Sequence, residues 1–555
     1  MKRLPNRPDI DHLRKQAKTL LALWRDRDLA AIDRVRNALP AAVGRNDETI
    51  ANLGLRLHDA QSCIAREYGF LSWADLKIFV ETRMASNKDR SDFVLHWLRL
   101  IYAADVAGGT NLARPSVAAH MLADNPALPA NDPYLACAVG NEMRLRQAIK
   151  DDPAWINRPG GPLNLPPLVA VTHSSLLRLP TFRERLRASA RLLLEMGADP
   201  DQAVGSRWPP ASLSKPSEAF RLSALYGAAG QNHDPELTKL LLDAGANPND
   251  GESLYHSVEN LDCMRQLLAA GARIAGSNAL YRVLDLNNIE ALRLLLSHGA
   301  DANEPATSAP TRDWGSPLLW AIRRRRSRAY VAALLDAGAA PSAKTPDGTS
   351  AYTWARRFGL PDVAELLSQL DNAGHDSEEE QFIAACTLGD EAGARRIKSR
   401  RPDLPAVLSE VQLRLLPELA AQGCSEAVEL MVNVGWPIAT PGGDWSASAL
   451  NHAVFRGDAE LARFLLQHGA SWKEQHGHGD NACGTLGWAS CNEPVEGGNW
   501  LGCAEALIAH GMPAARPDPE GPDSVIVDGK RRWFSDEVTD FMLGAHPTVG
   551  GTSYV

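Results

Sequence analysis

Leucines recur along the chain in short bursts of helical period, each closed by a glycine. In residues 290–303 the run Glu-Ala-Leu-Arg-Leu-Leu-Leu-Ser-His places its apolar residues on one side of a short helix, and Gly-Ala-Asp-Ala-Asn follows. Gly299 suits the left-handed residue just past a helix end, where a Cβ costs roughly 1 kcal/mol or more. The same pattern predicts helices and turns at 192–200, 240–249, 267–274, 334–342 and 464–472, and more loosely at 431–438 and 506–514. One helix of that length cannot bury its leucine face alone, so many copies imply stacking against one another.

A second helix is predicted ahead of each. Ala279-Leu280-Tyr281-Arg282-Val283 precedes one copy, and Ser316-Pro317-Leu318-Leu319-Trp320-Ala321 precedes another. The fullest unit runs from 448 to 471, where Ala449-Leu450-Asn451-His452-Ala453 leads through Gly457-Asp458 to Leu465-Leu466-Gln467-His468-Gly469-Ala470. These segments resemble the ankyrin first-helix signature Thr-Pro-Leu-His-x-Ala and the ankyrin second helix with its exit. The resemblance implies an all-α ankyrin-repeat solenoid of about twelve helix pairs with short β-hairpin fingers. Early copies are degenerate, keeping Ala138-Val139-Gly140-Asn141 in one case and a Pro-Leu-Val-Ala-Val run from Pro167 in the other. Spacing between second-helix glycines runs from 26 residues (Gly245 to Gly271) to 48 (Gly197 to Gly245). The short intervals leave no room for a finger, and the long ones extend the loops at 199–223 and 301–316.

Both ends depart from the repeat. In residues 1–83, Asp9 or Asp11 can cap a helix whose Leu13, Ala17, Leu20, Leu21 and Trp24 share a face. Further helices are expected over 58–68 and, capped by Ser72, through Val80. The runs His12-Leu13-Arg14-Lys15-Gln16-Ala17-Lys18 and Arg66-Glu67-Tyr68-Gly69-Phe70-Leu71-Ser72-Trp73 resemble a small helical domain that precedes ankyrin arrays in many bacterial proteins. That resemblance implies no activity. The array is expected over 91–371 and 377–515, separated by acidic residues 371–380, which read either as a flexible joint or as a capped loop. Residues 516–555 follow a proline-rich run that starts at Pro513. There Asp528-Gly529 predicts a hairpin between Val525-Ile526-Val527 and Arg532-Trp533-Phe534, and a last helix starts near Ser535. This segment reads as a cap on the final repeat.

Composition narrows the partner. A formal net charge of −9 disfavours nonspecific nucleic-acid binding, although the first 40 residues hold ten Lys/Arg against five Asp/Glu. That local excess reads as an acidic-partner site or as a solvated helix face. No stretch is apolar enough for a membrane span, and the amino terminus lacks the apolar run of a signal peptide. Eight cysteines without a Cys-x-x-Cys pair predict reduced thiols and a cytoplasmic protein. The chain is expected to be a monomer.

Candidate chemistry is sparse. The sequence carries no Gly-x-x-x-x-Gly-Lys, Gly-x-Ser-x-Gly or His-Glu-x-x-His. No cofactor and no catalytic or metal-binding residues are therefore expected. His476, His478, Cys483, Cys491 and Cys503 have zinc-ligand chemistry but match no compact finger spacing. A metal-dependent sensor built on them is one alternative reading, and an enzyme or effector whose array presents substrate is the other. Arg323–Arg326 reads either as an anion grip or as a solvated turn with one or two partners. Alignment on the signature places Trp320, Trp354, His452 and Trp488 at its x position, each followed by alanine. The resemblance implies that this position faces the concave surface beside the fingers. It also implies that Tyr226, Tyr255 and Tyr281, at the signature histidine, can replace a structural imidazole hydrogen bond between repeats. The expected function is noncatalytic protein binding through a row of first-helix side chains, or through fingers around Trp314, Trp445 and His478.

Overall fold

The computed structural model describes residues 2–5, 7–85, 90–110, 112–129, 132–307, 310–370, 377–521 and 524–544. It divides into two compact units, Met1–Ala300 and Asp301–Val555.

The first unit begins with helices Ile10–Arg25, Leu29–Ala38 and Leu57–Glu67. Asp9 caps the first: its Oδ1 accepts from the N–H groups of Asp11 and His12 at 2.8 and 3.1 Å. The face Leu13, Ala17, Leu20, Leu21 and Trp24 is buried as the period predicts. The buried Trp24 indole donates to the carbonyl of Ile50 at 3.1 Å. Ser72 caps the next helix, Trp73–Ala85, by accepting from the N–H of Asp75 at 3.1 Å. That helix runs past Val80, where the sequence pattern ended it.

Helix pairs follow, such as Pro133–Val139 with Glu142–Asp151 and Ala279–Asp285 with Ile289–Ser297. First helices pack on first helices and second on second, which buries the leucine faces that no single helix could bury. At the exit of the last second helix, Gly299 has φ +85°. The Gly299 N–H donates to Leu296 O at 3.0 Å and the Ala300 N–H to Leu295 O at 3.1 Å, a Schellman ending. Nothing lies within 4 Å of where a Cβ on Gly299 would stand. Gly299→Val is therefore expected to destabilise through backbone conformation alone, by about 1–2 kcal/mol. Amide exchange should rise over 277–300 more than over 10–38, because repeats couple first to their neighbours. Unchanged exchange over 277–300 would contradict this.

The long interval between Gly197 and Gly245 is filled by a true finger. Strands Ala203–Gly205 and Arg221–Ser223 pair antiparallel, and their loop returns Arg207 to the interior at 2 % exposure. The Arg207 N–H donates to Asp105 O at 2.7 Å, and its guanidinium donates to the carbonyl of Val106. Among the described residues no strand pair separates Gly245 from Gly299, as the short spacing predicts. The Tyr226 hydroxyl does bond, but to Asp105 Oδ2 at 3.3 Å rather than to the next repeat. The contact to the finger is made instead by a histidine, His173, whose Nε2 lies 2.8 Å from Ser223 O.

The second unit continues the pairs from Pro317–Arg323 with Arg328–Asp336 to Ala482–Asn492 with Trp500–Ala509. Residues 371–376 of the acidic stretch lie outside the described residues. Beyond them Ser377 Oγ accepts from the N–H of Glu380 and caps Glu378–Thr387, which packs on Ala351–Arg357. Arg357 and Glu380 join these two helices at 2.6 Å, both largely buried. At the end, Val525–Val527 pairs with Lys530–Arg532. The second strand starts earlier than the hydrophobic residues suggested, because positive φ at both Asp528 and Gly529 makes a two-residue turn that sets Val527 opposite Lys530. Helix Asp536–Gly544 then lays Val538 and Met542 into the interior, against Trp500–Ala509.

Candidate functional site

The four aligned first-helix positions fall in different surroundings. Trp320, on Pro317–Arg323, is 1 % exposed. The Arg324 guanidinium lies 4.4 Å from its ring centre and that of Arg323 lies 5.1 Å away. Trp354, on Ala351–Arg357, is 5 % exposed and donates through Nε1 to Thr345 Oγ1 at 2.9 Å. Trp314 covers it at a centroid distance of 4.6 Å, and Phe358 stacks on it at 5.6 Å. His452, on Ala449–Arg456, is also buried, with Nε2 at 3.2 Å from Gly442 O and the Trp445 ring edge-on at 4.8 Å. The expected solvent-facing row is thus not presented at Trp320, Trp354 or His452. The physical reason is local: finger residues Thr345, Gly442 and Trp445, with Trp314 and the arginines, fold over the rings and remove them from water.

Trp488 differs. It stands on Ala482–Asn492 at 54 % exposure, its indole parallel to Phe455 (8° apart, centroids 5.5 Å). Phe455 in turn touches Trp445 at 5.7 Å. Trp445 is half-buried and is flanked by His476 at 4.9 Å and by the exposed His478 at 6.4 Å. Helices of two successive pairs and two loops therefore assemble one contiguous aromatic surface. Behind Trp488, the carbonyl of Trp533 lies 2.8 Å from where a Cβ on Gly487 would stand, so only glycine lets the end segment pass there.

Burial pushes the His452 imidazole down to about 4 from its ordinary 6.5. The folded chain therefore holds it neutral while the unfolded chain binds a proton below pH 6.5. Stability supplied by neutral His452 is complete above pH 6.5, falls as pH drops towards 4 and is constant below that. The loss is about 3 kcal/mol across that window. His452→Gln should flatten this part of the pH–stability curve in urea titrations. An equally steep curve would show that another group is responsible.

The arginine run is not an open grip: Arg324 and Arg325 lie in a half-buried turn with partners, and Arg323 is drawn into the interior. Arg323 is 4 % exposed, and its Nη2 pairs with Glu418 Oε1 and Asp444 Oδ1, both at 2.9 Å. Arg324 reaches Asp444 at 2.9 Å, and Arg325 donates to the carbonyl of Phe358. Burial by itself would raise the Asp444 carboxyl, but Arg323 and Arg324 outweigh it and hold it below its ordinary value. These charges clasp the first helices and a finger together from within. The zinc-type residues do not converge: Cys483 and Cys503 are buried and Cys491 is exposed. Among the described residues no group of three or more His, Cys, Asp or Glu is placed to hold one metal ion. No described helix is long and apolar enough to cross a membrane.

Two contributors escaped sequence reading. Phe455 occupies a helix position that reads as ordinary core, and Asp444 lies 120 residues from Arg324 with no local signal. The exposure of Trp488 had a partial signal, since its repeat is the last before the proline-rich end.

Comparison with known proteins bears on the architecture. Residues 225–306 match the family model for ankyrin repeats, in three copies. No curated protein matches the chain in sequence. Among solved structures, the ankyrin repeat domain of Bcl-3, a member of the IkappaB protein family, is 21 % identical. It covers 42 % of this chain and 85 % of its own, with a TM-score of 0.18. The human ASB11 ankyrin repeat domain is 20 % identical and covers 42 % of this chain and 99 % of its own, with a TM-score of 0.21. The family match and the succession of helix pairs give the same answer: the chain carries ankyrin repeats, and its fold is the all-α ankyrin-repeat solenoid.

Proposed function

We propose that the chain is a noncatalytic protein-binding scaffold whose contact surface is the aromatic cluster of Trp488, Phe455, Trp445 and His478. Ankyrin repeats are in general protein-interaction modules. The observation that carries the assignment to this surface is the exposure of Trp488. A large ring left in water on a rigid helix gains most when a partner covers it, and tryptophan is over-represented among residues that dominate interfaces. His452 supports this surface from beneath, its ring 4.8 Å from that of Trp445. None of the eight cysteines forms a disulfide and six are buried, which fits a reducing compartment and a cytoplasmic location. Burial pushes the Cys386 thiol up to about 12, far from the range of a reactive thiolate.

The test is to capture partners from extract of the native cell with the full chain and with Trp488→Ala. Proteins held by the native chain should bind the variant roughly thirtyfold more weakly, a loss of about 2 kcal/mol. Its unfolding midpoint should change little, since a half-exposed ring supports little of the interior. Undiminished capture by Trp488→Ala would place the contact elsewhere on the array.

A further inference from the structure

The amino-terminal helices of the first unit carry a feature that protein binding at Trp488 leaves unused. An open surface cavity of about 350 Å³ is lined by Lys2, His12, Lys15, Gln16, Thr19 and Arg34. Every lining residue offers a polar atom, and three carry a permanent positive charge. His12, Lys15, Gln16 and Thr19 follow one another at the spacing of a single face of helix Ile10–Arg25. The other side comes from the amino-terminal segment and from helix Leu29–Ala38.

Two of these cations are held in place. Glu67 ends helix Leu57–Glu67 with its side chain 13 % exposed. It accepts from Arg34 Nε at 2.6 Å and Nη2 at 2.9 Å, and from Lys2 Nζ at 2.6 Å. The Lys2 N–H also donates to Glu67 O at 2.7 Å, which ties down the segment. One carboxylate thus orients two cations and cancels only one of their charges, as outer carboxylates orient the ligands of an ion. Asp9, which caps the helix, lies within electrostatic reach of His12 and Lys15, and Asp11 beside His12 is paired with Arg14 at 2.9 Å. With Lys2, Lys15 and Arg34 set against Glu67 and Asp9, the cavity keeps a positive balance inside a chain whose net charge is −9.

We propose that this cavity binds a small phosphate compound, with Lys15, Lys2 and Arg34 supplying charge and His12, Gln16 and Thr19 completing the hydrogen bonds. A phosphate group accepts from several donors at once and matches both the ammonium and guanidinium geometries. Glu67 is a positioning residue.

Pyrophosphate and adenosine monophosphate are titrated separately into the full chain at constant ionic strength, which keeps screening fixed. Heat of binding and unfolding midpoint are recorded. The expected result is saturable one-site binding of at least one probe, weakened tenfold or more by Lys15→Ala and unaffected by Lys18→Ala on the same helix. Lys15 is exposed and its change leaves the fold intact, so the loss reads on the site. Saturation by pyrophosphate alone assigns a diphosphate ligand, and saturation by the nucleotide alone assigns a phosphate ester. No saturable binding of either probe, or equal weakening by Lys15→Ala and Lys18→Ala, overturns the proposal.

Discussion

Trp320→Ala is expected to destabilise the second unit by about 3–5 kcal/mol, the usual cost of truncating a fully buried large aromatic residue. The ring is 1 % exposed, and the guanidinium groups of Arg323 and Arg324 lie over it at 5.1 and 4.4 Å. Alanine leaves a void beneath two cations whose alternative is water, so the clasp loosens together with the packing. Urea unfolding followed by tryptophan fluorescence measures the effect. A cost below about 1 kcal/mol, the range of surface changes, would show that the indole is not part of the interior.

Arg323→Ala should cost about 3 kcal/mol, because removing one partner of a buried ion pair leaves uncompensated charge behind. The value stands at the low end because Asp444 keeps Arg324 at 2.9 Å and its side chain is 35 % exposed. Glu418→Gln on the Arg323→Ala background should return part of the loss, since it neutralises the carboxylate left alone. A double-mutant cycle between Arg323 and Glu418 with coupling near zero would contradict the clasp.

Helix pairing was legible because its signal is local. Leucine period, Asp, Asn or Ser caps and a glycine at each exit all lie within a few residues of one another, and the left-handed φ at Gly299 follows from them. Spacing showed a long loop over 199–223 but not the strand pair within it, Ala203–Gly205 with Arg221–Ser223, which has no strong alternating pattern of its own. Side-chain exposure was not. Position x in the signature fixes the direction in which a side chain leaves its helix, but burial depends on what returns to meet it. For Trp354 that is Trp314 and Thr345; for His452 it is Gly442 and Trp445. Trp488 has the same helical address and remains half in water. The burial of Arg323 at the head of the arginine run was not legible for a related reason: the partners Glu418 and Asp444 are 95 residues or more away along the chain.

The central claim, that partners cover the surface around Trp488, is tested most directly by placing a photo-crosslinking residue at Asn492, exposed one helical turn beyond Trp488. A second chain carries it at Glu460, an exposed site on the second helix Ala459–Gln467. Both keep Trp488 and are irradiated with the protein captured by the native chain. A covalent adduct is expected from position 492 and none from 460. An adduct from 460 with none from 492 would contradict the claim.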